Sequence, residues 1–210
     1  MPGMTSGGAQ GPRGADGCVV VFDTETTGLP QGRVRPTERL AAWDGCRMVQ
    51  IAWAVYQPME PMRQGAGAFV IRPAGAFVVP EAAARIHGIT TERAEREGQP
   101  VRQVLLRFLE ALRGAGTLVA HNLAFDEGVV ESELVRAGMG PGTQEWRVWE
   151  SVPRRVCTMR RGTAPGGRWP RLAALYEQCF GEAPDPSTLH RADVDTELCA
   201  RIFFHQEGHC

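Results

Sequence analysis

The hydrophobic period of this sequence changes once along the chain, and that change limits the folds that the chain can adopt. Short apolar segments in the first half predict three strands, at 18–22, 48–56 and 66–71. From Val101 to Leu112 the apolar side chains recur every three or four residues, which is the period of an amphipathic helix. One further strand and three helices are predicted after it, at 117–120, 126–137, 171–180 and 192–206. This order predicts an α/β fold in which a mixed central sheet is flanked by helices.

The composition fits one domain and excludes two kinds of function. The 210 residues suffice for one buried core, and the net charge of −1 argues against a protein that coats nucleic acid generally. All 23 basic residues are arginine, so mechanisms that need a lysine nucleophile or a phosphate-binding lysine are excluded. We expect a disordered N-terminal tail at 1–17, a domain at 18–206 and a C-terminal tail at 207–210.

Neither the apolar runs nor the cysteines indicate a secreted or membrane protein. No apolar run approaches the ~18 residues that span a bilayer, and the first 17 residues lack the hydrophobic stretch of a secretory signal. The six cysteines contain no CxxC pair, and we expect reduced, mostly buried thiols. These features predict an intracellular protein in a reducing compartment, cytoplasmic or nuclear, with no membrane partner.

Two acidic residues follow the first predicted strand, in the string FDTETTG at 22–28. Asp23 and Glu25 are two positions apart, so their side chains leave the same face of the sheet. Adjacent carboxylates repel each other unless a cation or a proton lies between them. Two solvated acids at a strand end are the simpler alternative. The C-terminal edge of a buried strand is where α/β sheets commonly bind ligands, and this position favours a functional pair.

Further acids and a histidine follow later in the chain. Asp126, in the string HNLAFDEG, either caps the helix that it opens or joins a site with the first pair. On the last predicted helix, Asp193 and Asp195 point about 200° apart, so they cannot share one site. Asp195 lies on the core-facing stripe, where a carboxylate needs a partner, and is the better candidate ligand. His190, just before this helix, is either an ordinary loop histidine or part of the same site.

Taken in order, FDTETTG, HNxxFD and HxAxxD resemble the motifs of the DEDDh branch of the DnaQ-like 3'-5' exonucleases, which have a ribonuclease H-like fold. The string IHGIT at 86–90 and the string RWPRLAALYEQCFG at 168–181 are similar to recurrent elements of that family. The resemblance covers about 19–204, nearly all of the chain outside the predicted tails.

The resemblance implies a set of catalytic residues. Four carboxylates would bind two divalent cations, Mg²⁺ or Mn²⁺, through oxygen ligands of the kind these ions prefer: Asp23, Glu25, Asp126 and Asp195. Two such ions can activate a water and stabilise the leaving 3'-oxygen of a phosphodiester. His190 would accept the proton of the attacking water, since histidine side chains ordinarily titrate near neutral pH. Substrate contacts are implied for the backbone of Thr26 and Thr27, and for Leu29 and His87.

An arginine-rich stretch lies between the second and third motifs. Residues 147–171 contain seven arginines and one acid, and tryptophans flank or interrupt the run. Arginines beside aromatic residues are typical of surfaces that bind phosphates and unstacked bases. The alternative is a solvated loop, in which arginine is frequent only because the chain contains no lysine. We favour strand binding by four of them, Arg154, Arg155, Arg160 and Arg161. A second long loop is predicted at 31–46 and is interpreted as a lid, an oligomer contact or an exposed loop.

The favoured function is a metal-dependent 3'-5' exonuclease that acts on mainly single-stranded DNA and releases nucleoside 5'-monophosphates. Its partner would be a nucleic acid with a free 3' end. The first alternative is an exoribonuclease that trims RNA, because access of the 2'-OH cannot be deduced from the sequence. The second alternative is a non-catalytic nucleic-acid-binding module or a polymerase accessory in proofreading. A polymerase partner and a homodimer both stay open.

Overall fold

A five-stranded sheet of order β3-β2-β1-β4-β5 lies at the centre of the molecule, which is a computed structural model describing residues 17–58 and 61–208. β1 (Cys18–Thr26) pairs antiparallel with β2 (Met48–Tyr56) and parallel with β4 (Ala115–Ala120). β3 (Arg63–Val70) and β5 (Arg154–Cys157) form the two edges. The predicted mixed sheet is therefore confirmed, with the first acid-bearing strand at its middle.

Helices cover both faces of this sheet. A 3₁₀ turn at Leu40–Trp43 precedes β2, and the helices in chain order are α1 (Glu81–His87), α2 (Thr91–Glu97), α3 (Val101–Leu112), α4 (Leu123–Arg136), α5 (Gln144–Glu150), α6 (Thr158–Arg161), α7 (Leu172–Phe180) and α8 (Ala192–Gln206). The flanking helices that the sequence predicts are therefore present.

The alternation of side chains along β1 explains the two layers. Phe22 belongs to the core that includes the apolar stripe of α3, and its ring lies 5.3 Å from that of Phe108. Val19 and Val21 point to the other face, where they join Phe203 of α8 in a second core. Because successive strand residues point to opposite faces, Asp23 and Glu25 project on the α8 side.

Several predicted boundaries differ from the structure. β1 extends to Thr26 because its pairing with β2 continues beyond the apolar run. α4 begins at Leu123 rather than at residue 126, β3 begins at Arg63 and α7 begins at Leu172. The sequence does not predict β5 or the two helices beside it, α5 and α6. A four-residue edge strand and helices of four to seven residues are too short to show a clear hydrophobic period. Residues 1–16 and 209–210 of the expected tails lie outside the described residues.

The segment 31–46 packs on α4. The indole Nε1 of Trp43 donates to the carbonyl of Val34 at 2.9 Å, and Arg35 pairs with Glu131 of α4 at 2.5 Å. Trp43 itself is buried against the helix. The segment therefore forms a wall beside α4. Within residues 17–58 and 61–208, the structure contains no helix with the length and apolar character needed to cross a membrane.

The contact between Trp43 and α4 depends on Gly128. A Cβ at this position would lie 2.0 Å from Cη2 of Trp43. Alanine normally stabilises a helix by about 1 kcal/mol relative to glycine, but overpacking costs about 1–3 kcal/mol, and a carbon 2.0 Å from a buried ring lies in the upper part of that range. We therefore expect Gly128→Ala to lower the free energy of unfolding by about 1–2 kcal/mol, measured by urea denaturation. Gly65→Ala, where no atom lies within 4 Å of the new Cβ, is the control. Equal stability of the two variants would contradict the packing argument.

Candidate active site

Three elements meet at the C-terminal edge of the central strands. β1 carries Asp23 and Glu25 on the face covered by α8, which packs against β1 and β2. β4 runs parallel to β1, so α4, which follows it, begins at the same edge of the sheet. Asp126 lies in the first turn of α4, and Asp195 in the first turn of α8. The topology thus brings the three acidic motifs together from distant parts of the chain.

Asp126 is buried and held by the strand that carries the first two acids. The backbone N–H and the hydroxyl of Thr24 donate to its Oδ1 at 3.1 and 2.7 Å. Thr24 points to the face opposite Asp23 and Glu25, so Asp126 reaches the edge of β1 from the α4 side. Asp126 is therefore more than a helix cap, because its carboxylate accepts hydrogen bonds from β1.

The loop before α8 positions Asp195. His190 has a left-handed backbone with a φ of 60°, an unfavourable conformation for a residue with a side chain. In this conformation its N–H donates to Oδ2 of Asp195 at 3.2 Å. Gln50 of β2 fixes the start of the helix, since its Oε1 accepts a hydrogen bond from the Ala192 N–H at 3.2 Å. Asp195 is buried, whereas Asp193 pairs with Arg191 outside the site.

The pKa values show that the four acids share one electrostatic environment. Burial, followed by the charges of Asp126, Glu25 and Asp195, holds the pKa of Asp23 well above its ordinary value. Burial and the charges of Asp195 and Asp126 raise the pKa of Glu25 to about 8. Burial is the main cause that raises the pKa of Asp126 to about 7 and that of Asp195 to about 6. Such a cluster is stabilised by positive charge placed among its members.

The residues present fit a divalent cation. Glu25, His190 and Asp195 each offer one ligand atom, and these atoms lie within 4.8 Å of one another. Oδ1 of Asp195 is buried and has no hydrogen-bond partner in the part of the chain that the structure describes. An unpaired buried carboxylate oxygen among mutually repelling acids is costly unless a cation or proton satisfies it. Oxygen donors of this kind are those that Mg²⁺ and Mn²⁺ prefer.

The residues predicted to contact substrate lie at the end of β1, just beyond it and at the end of α1. Leu29 is 77% exposed just beyond β1, and Thr26 donates its hydroxyl to the carbonyl of Gly28. The hydroxyl of Thr27 is occupied within the protein, where it donates to Gly45 and accepts from the Arg47 N–H. His87 lies beside the backbone of Thr26, and burial is the main cause that lowers its pKa. Its buried Nε2 has no hydrogen-bond partner among residues 17–58 and 61–208.

Three of the four predicted strand-binding arginines are engaged in ion pairs. Arg154 and Arg161 both pair with Glu207, the residue that caps the end of α8. Arg155 pairs with Glu127 of α4 at 2.6 Å and also donates to the carbonyl of Trp149. Arg160 is exposed and has no ion-pair partner within the described ranges. The acids that engage the other three come from α4 and from beyond α8, so the local sequence gives no sign of them.

A groove of about 930 Å³ lies beside α4, the helix that carries Asp126, and we call it the α4 groove. It lies between residues 30–36 and the start of α6, over the outer side of α4. Asn122 and Phe125, which are absent from the sequence predictions, are among its lining residues and lie within four positions of Asp126 in the chain. The four acids themselves are not among its lining residues. The signal that could have identified Asn122 and Phe125 is their place in HNLAFDEG, four positions and one position before the acid.

The sheet order and the helices on both faces define a class of fold, the ribonuclease H-like α/β fold, with the acid cluster at the edge of its central strands. The RNase T-type family model, described as exonuclease, matches residues 20–203. The chain therefore belongs to this exonuclease family, as the DnaQ-like motifs imply.

Similar proteins agree with this assignment. The chain is 29% identical over 184 residues to the 3'-5' exonuclease DinG of Bacillus subtilis (strain 168), a match that covers 88% of this chain and 17% of that protein. A zinc-bound complex of Escherichia coli exonuclease I with single-stranded DNA matches with a TM-score of 0.66 at 17% identity, covering 90% of this chain and 40% of that one.

Exonuclease I from Methylocaldum szegediense matches with a TM-score of 0.65 at 20% identity, covering 91% of this chain and 40% of that one. These structural matches confirm the fold. The chain spans about a sixth of the curated relative and about two fifths of the solved structures.

Proposed function

We propose that this chain is a metal-dependent 3'-5' exonuclease that removes nucleoside 5'-monophosphates from the 3' end of mainly single-stranded DNA. The observation that carries the proposal is the convergence of four buried or half-buried carboxylates whose pKa values are all raised. A domain of the exonuclease family has a direct use for such a cluster, because cations would stabilise it and act on the phosphodiester. A module that only binds nucleic acid would not need it.

The four acids are the proposed ligands of two divalent cations, Mg²⁺ or Mn²⁺. Asp23 and Glu25 would bind from β1, Asp195 from α8 and Asp126 from the α4 side of the strand. When bound, these ions supply positive charge that activates a water and stabilises the leaving 3'-oxygen. The protein contributes the fixed placement of the carboxylates: the hydrogen bonds from Thr24 to Asp126 and from the His190 N–H to Asp195 limit their rotation.

His190 is the proposed general base. Its side chain is exposed and a ring nitrogen lies within 4.8 Å of ligand atoms of Glu25 and Asp195, so it can reach a water beside the acids. It would accept the proton as the water oxygen attacks the phosphorus atom, and the bond to the 3'-oxygen of the preceding nucleotide would break. The exposed position also allows the imidazole to return that proton to solvent before the next cleavage.

The terminal nucleotide is proposed to lie against Leu29, His87 and the backbone of Thr26 and Thr27. The exposure of Leu29 supports a contact of this kind, whereas the side chain of His87 is buried beside the Thr26 backbone and its contact stays a prediction. Arg160 is exposed and forms no ion pair within the described residues, so it could bind a phosphate without a rearrangement. Arg154, Arg155 and Arg161 would first have to exchange their carboxylate partners for phosphates, and they stay predictions.

Oligonucleotides labelled at the 5' end test the proposal. We expect a ladder of products shortened from the 3' end in Mg²⁺ or Mn²⁺, nucleoside 5'-monophosphates as the released product, and no cleavage in EDTA. Matched single-stranded DNA, duplex DNA and RNA of one sequence should be cut in that order of preference. Faster cleavage of RNA would favour the exoribonuclease instead, and binding without cleavage in either metal would support the accessory module.

A further inference from the structure

The α4 groove is lined by residues that stand next to site residues in the chain. Asn122 is the N-cap of α4, Phe125 directly precedes Asp126 in its first turn, and Pro30 directly follows Leu29. The groove is about three times the size of the smallest ordinary ligand pockets, which hold about 300 Å³. A chain whose last nucleotide lies at the acids can therefore continue into this groove.

Both walls of the groove are held in place by hydrogen bonds. The wall at residues 30–36 is fixed by the ion pair between Arg35 and Glu131 and by the bond from Trp43 to the Val34 carbonyl. On the opposite wall, His121 links two segments. Its Nδ1 lies 3.0 Å from the hydroxyl of Thr158, at the start of α6, and its Nε2 lies 3.0 Å from the carbonyl of Pro170. This contact fixes the backbone of Pro170, and with it the position of the residue before it, Trp169.

Trp169 carries an indole that is 57% exposed and lines the groove. The other two tryptophans of the arginine-rich stretch, Trp146 and Trp149, are buried in the core. An indole that is more than half exposed at the rim of a groove buries little of its apolar area in the fold and leaves part of its ring open to a ligand. A nucleic acid base is a ligand that such a face binds well.

The charges of the groove suit a phosphate backbone at its rims. Glu127 and Glu131 lie in the groove, but each pairs with an arginine there. Arg33 on one wall and Arg160 on the other have no ion-pair partner within residues 17–58 and 61–208. Glu150 is the acid of the lining that lacks such a partner in the same ranges. The uncompensated cations therefore outnumber the uncompensated acid and stand on opposite rims.

We propose that the α4 groove binds the nucleotides that precede the scissile bond, with an unpaired base stacked on Trp169 and phosphates beside Arg160 and Arg33. Because a base in a duplex is already stacked and paired, this groove selects a strand that is single over several nucleotides. This inference rests on the proposed exonuclease activity, and it assigns Trp169, Arg160 and Arg33 to the binding of the strand on which that activity would act.

The test combines oligonucleotides of two to twelve thymidines with the 5'-p-nitrophenyl ester of thymidine monophosphate. The ester carries no preceding nucleotide, so it reports on the acid cluster alone. We expect Trp169→Ala to raise KM for the longest strands about tenfold, with little change in kcat, since stacking on an aromatic side chain has about this effect. The effect should shrink as the strand shortens and vanish for the ester. Trp169→Phe, which keeps a π-face, should restore most of the affinity.

Arg160→Ala should weaken the binding of long strands and reduce the slope of log K against log[salt] by about one. Arg168→Ala is the matched control, because Arg168 is exposed beside Trp169 but does not line the groove. An unchanged KM of Trp169→Ala at every length would overturn the groove proposal while leaving the activity intact. Absence of cleavage of both the ester and DNA by the unaltered protein in Mg²⁺ would instead overturn the proposed function.

Discussion

Asp195→Asn is expected to reduce kcat for single-stranded DNA about a thousandfold or more, whereas Asp193→Asn leaves it within about twofold of the unaltered protein. Loss of residues that merely orient metal ligands costs about 10–100-fold, so loss of a ligand should cost more. Asp195 is buried with one oxygen unpaired, while Asp193 forms a surface ion pair with Arg191, the N-cap residue of α8. Both variants replace one carboxylate by an amide, and the two positions are only two residues apart in the chain.

Single-turnover cleavage of a 5'-labelled strand measures this difference, and thermal denaturation verifies that both variants fold. Strand binding by Asp195→Asn should persist, because the groove and the arginines are unaltered. Comparable activity of the two variants would remove Asp195 from the ligand set, and with it the proposed use of the acid cluster.

The metal-free protein is expected to lose stability as the pH rises from about 4 to 8. Glu25, Asp126 and Asp195 have a pKa of about 8, 7 and 6 in the folded chain, above the values of about 4 that unfolded carboxyl groups have. The folded state therefore binds more protons than the unfolded state in this range, and the free energy of unfolding falls as protons leave. At neutral pH the acids are left charged and close together.

Divalent cations should reverse this loss. Mg²⁺ at a hundred times its dissociation constant stabilises the folded state by about 2.7 kcal/mol, which corresponds to about 5–10 °C in Tm for a chain of this size. Differential scanning fluorimetry in EDTA and in Mg²⁺, from pH 5 to 8, measures both effects.

Glu25→Gln should flatten the metal-free pH profile and weaken the response to Mg²⁺, whereas Asp193→Asn should alter neither. A metal-free Tm that rises between pH 5 and 8 would contradict the assigned pKa directions.

Much of the fold could be predicted because its central elements carry strong local patterns. The apolar run before Asp23 is buried on both faces, and α3 has an uninterrupted stripe, so each is recognisable alone. The helical period also separates Asp195 from Asp193 without a structure. The prediction that Asp195 faces the interior is confirmed by its burial.

The unpredicted features depend on contacts between distant parts of the chain. Arg154 pairs with Glu207, 53 residues away, and Arg155 pairs with Glu127, 28 residues away. No local sequence pattern predicts either ion pair. The α4 groove arises because the segment 31–46 packs on α4, which requires the glycine at position 128. A loop without periodicity gives no sign of the helix that it will contact.

The position of β1 between β2 and β4 has a consequence for the motions of the site. Asp23 and Glu25 pair with Ala52 and Gln50 of β2, and the part of β1 that precedes them pairs with β4 as far as Val21. Neither acid can move away without disrupting the centre of the sheet, so the amides of this strand should exchange with solvent at close to the rate of global unfolding. The loop before α8 is largely exposed, and His190 lies at its end. Local opening of that loop costs less than unfolding the sheet, so one half of the site is as stable as the fold while the other can open and close within each cleavage cycle.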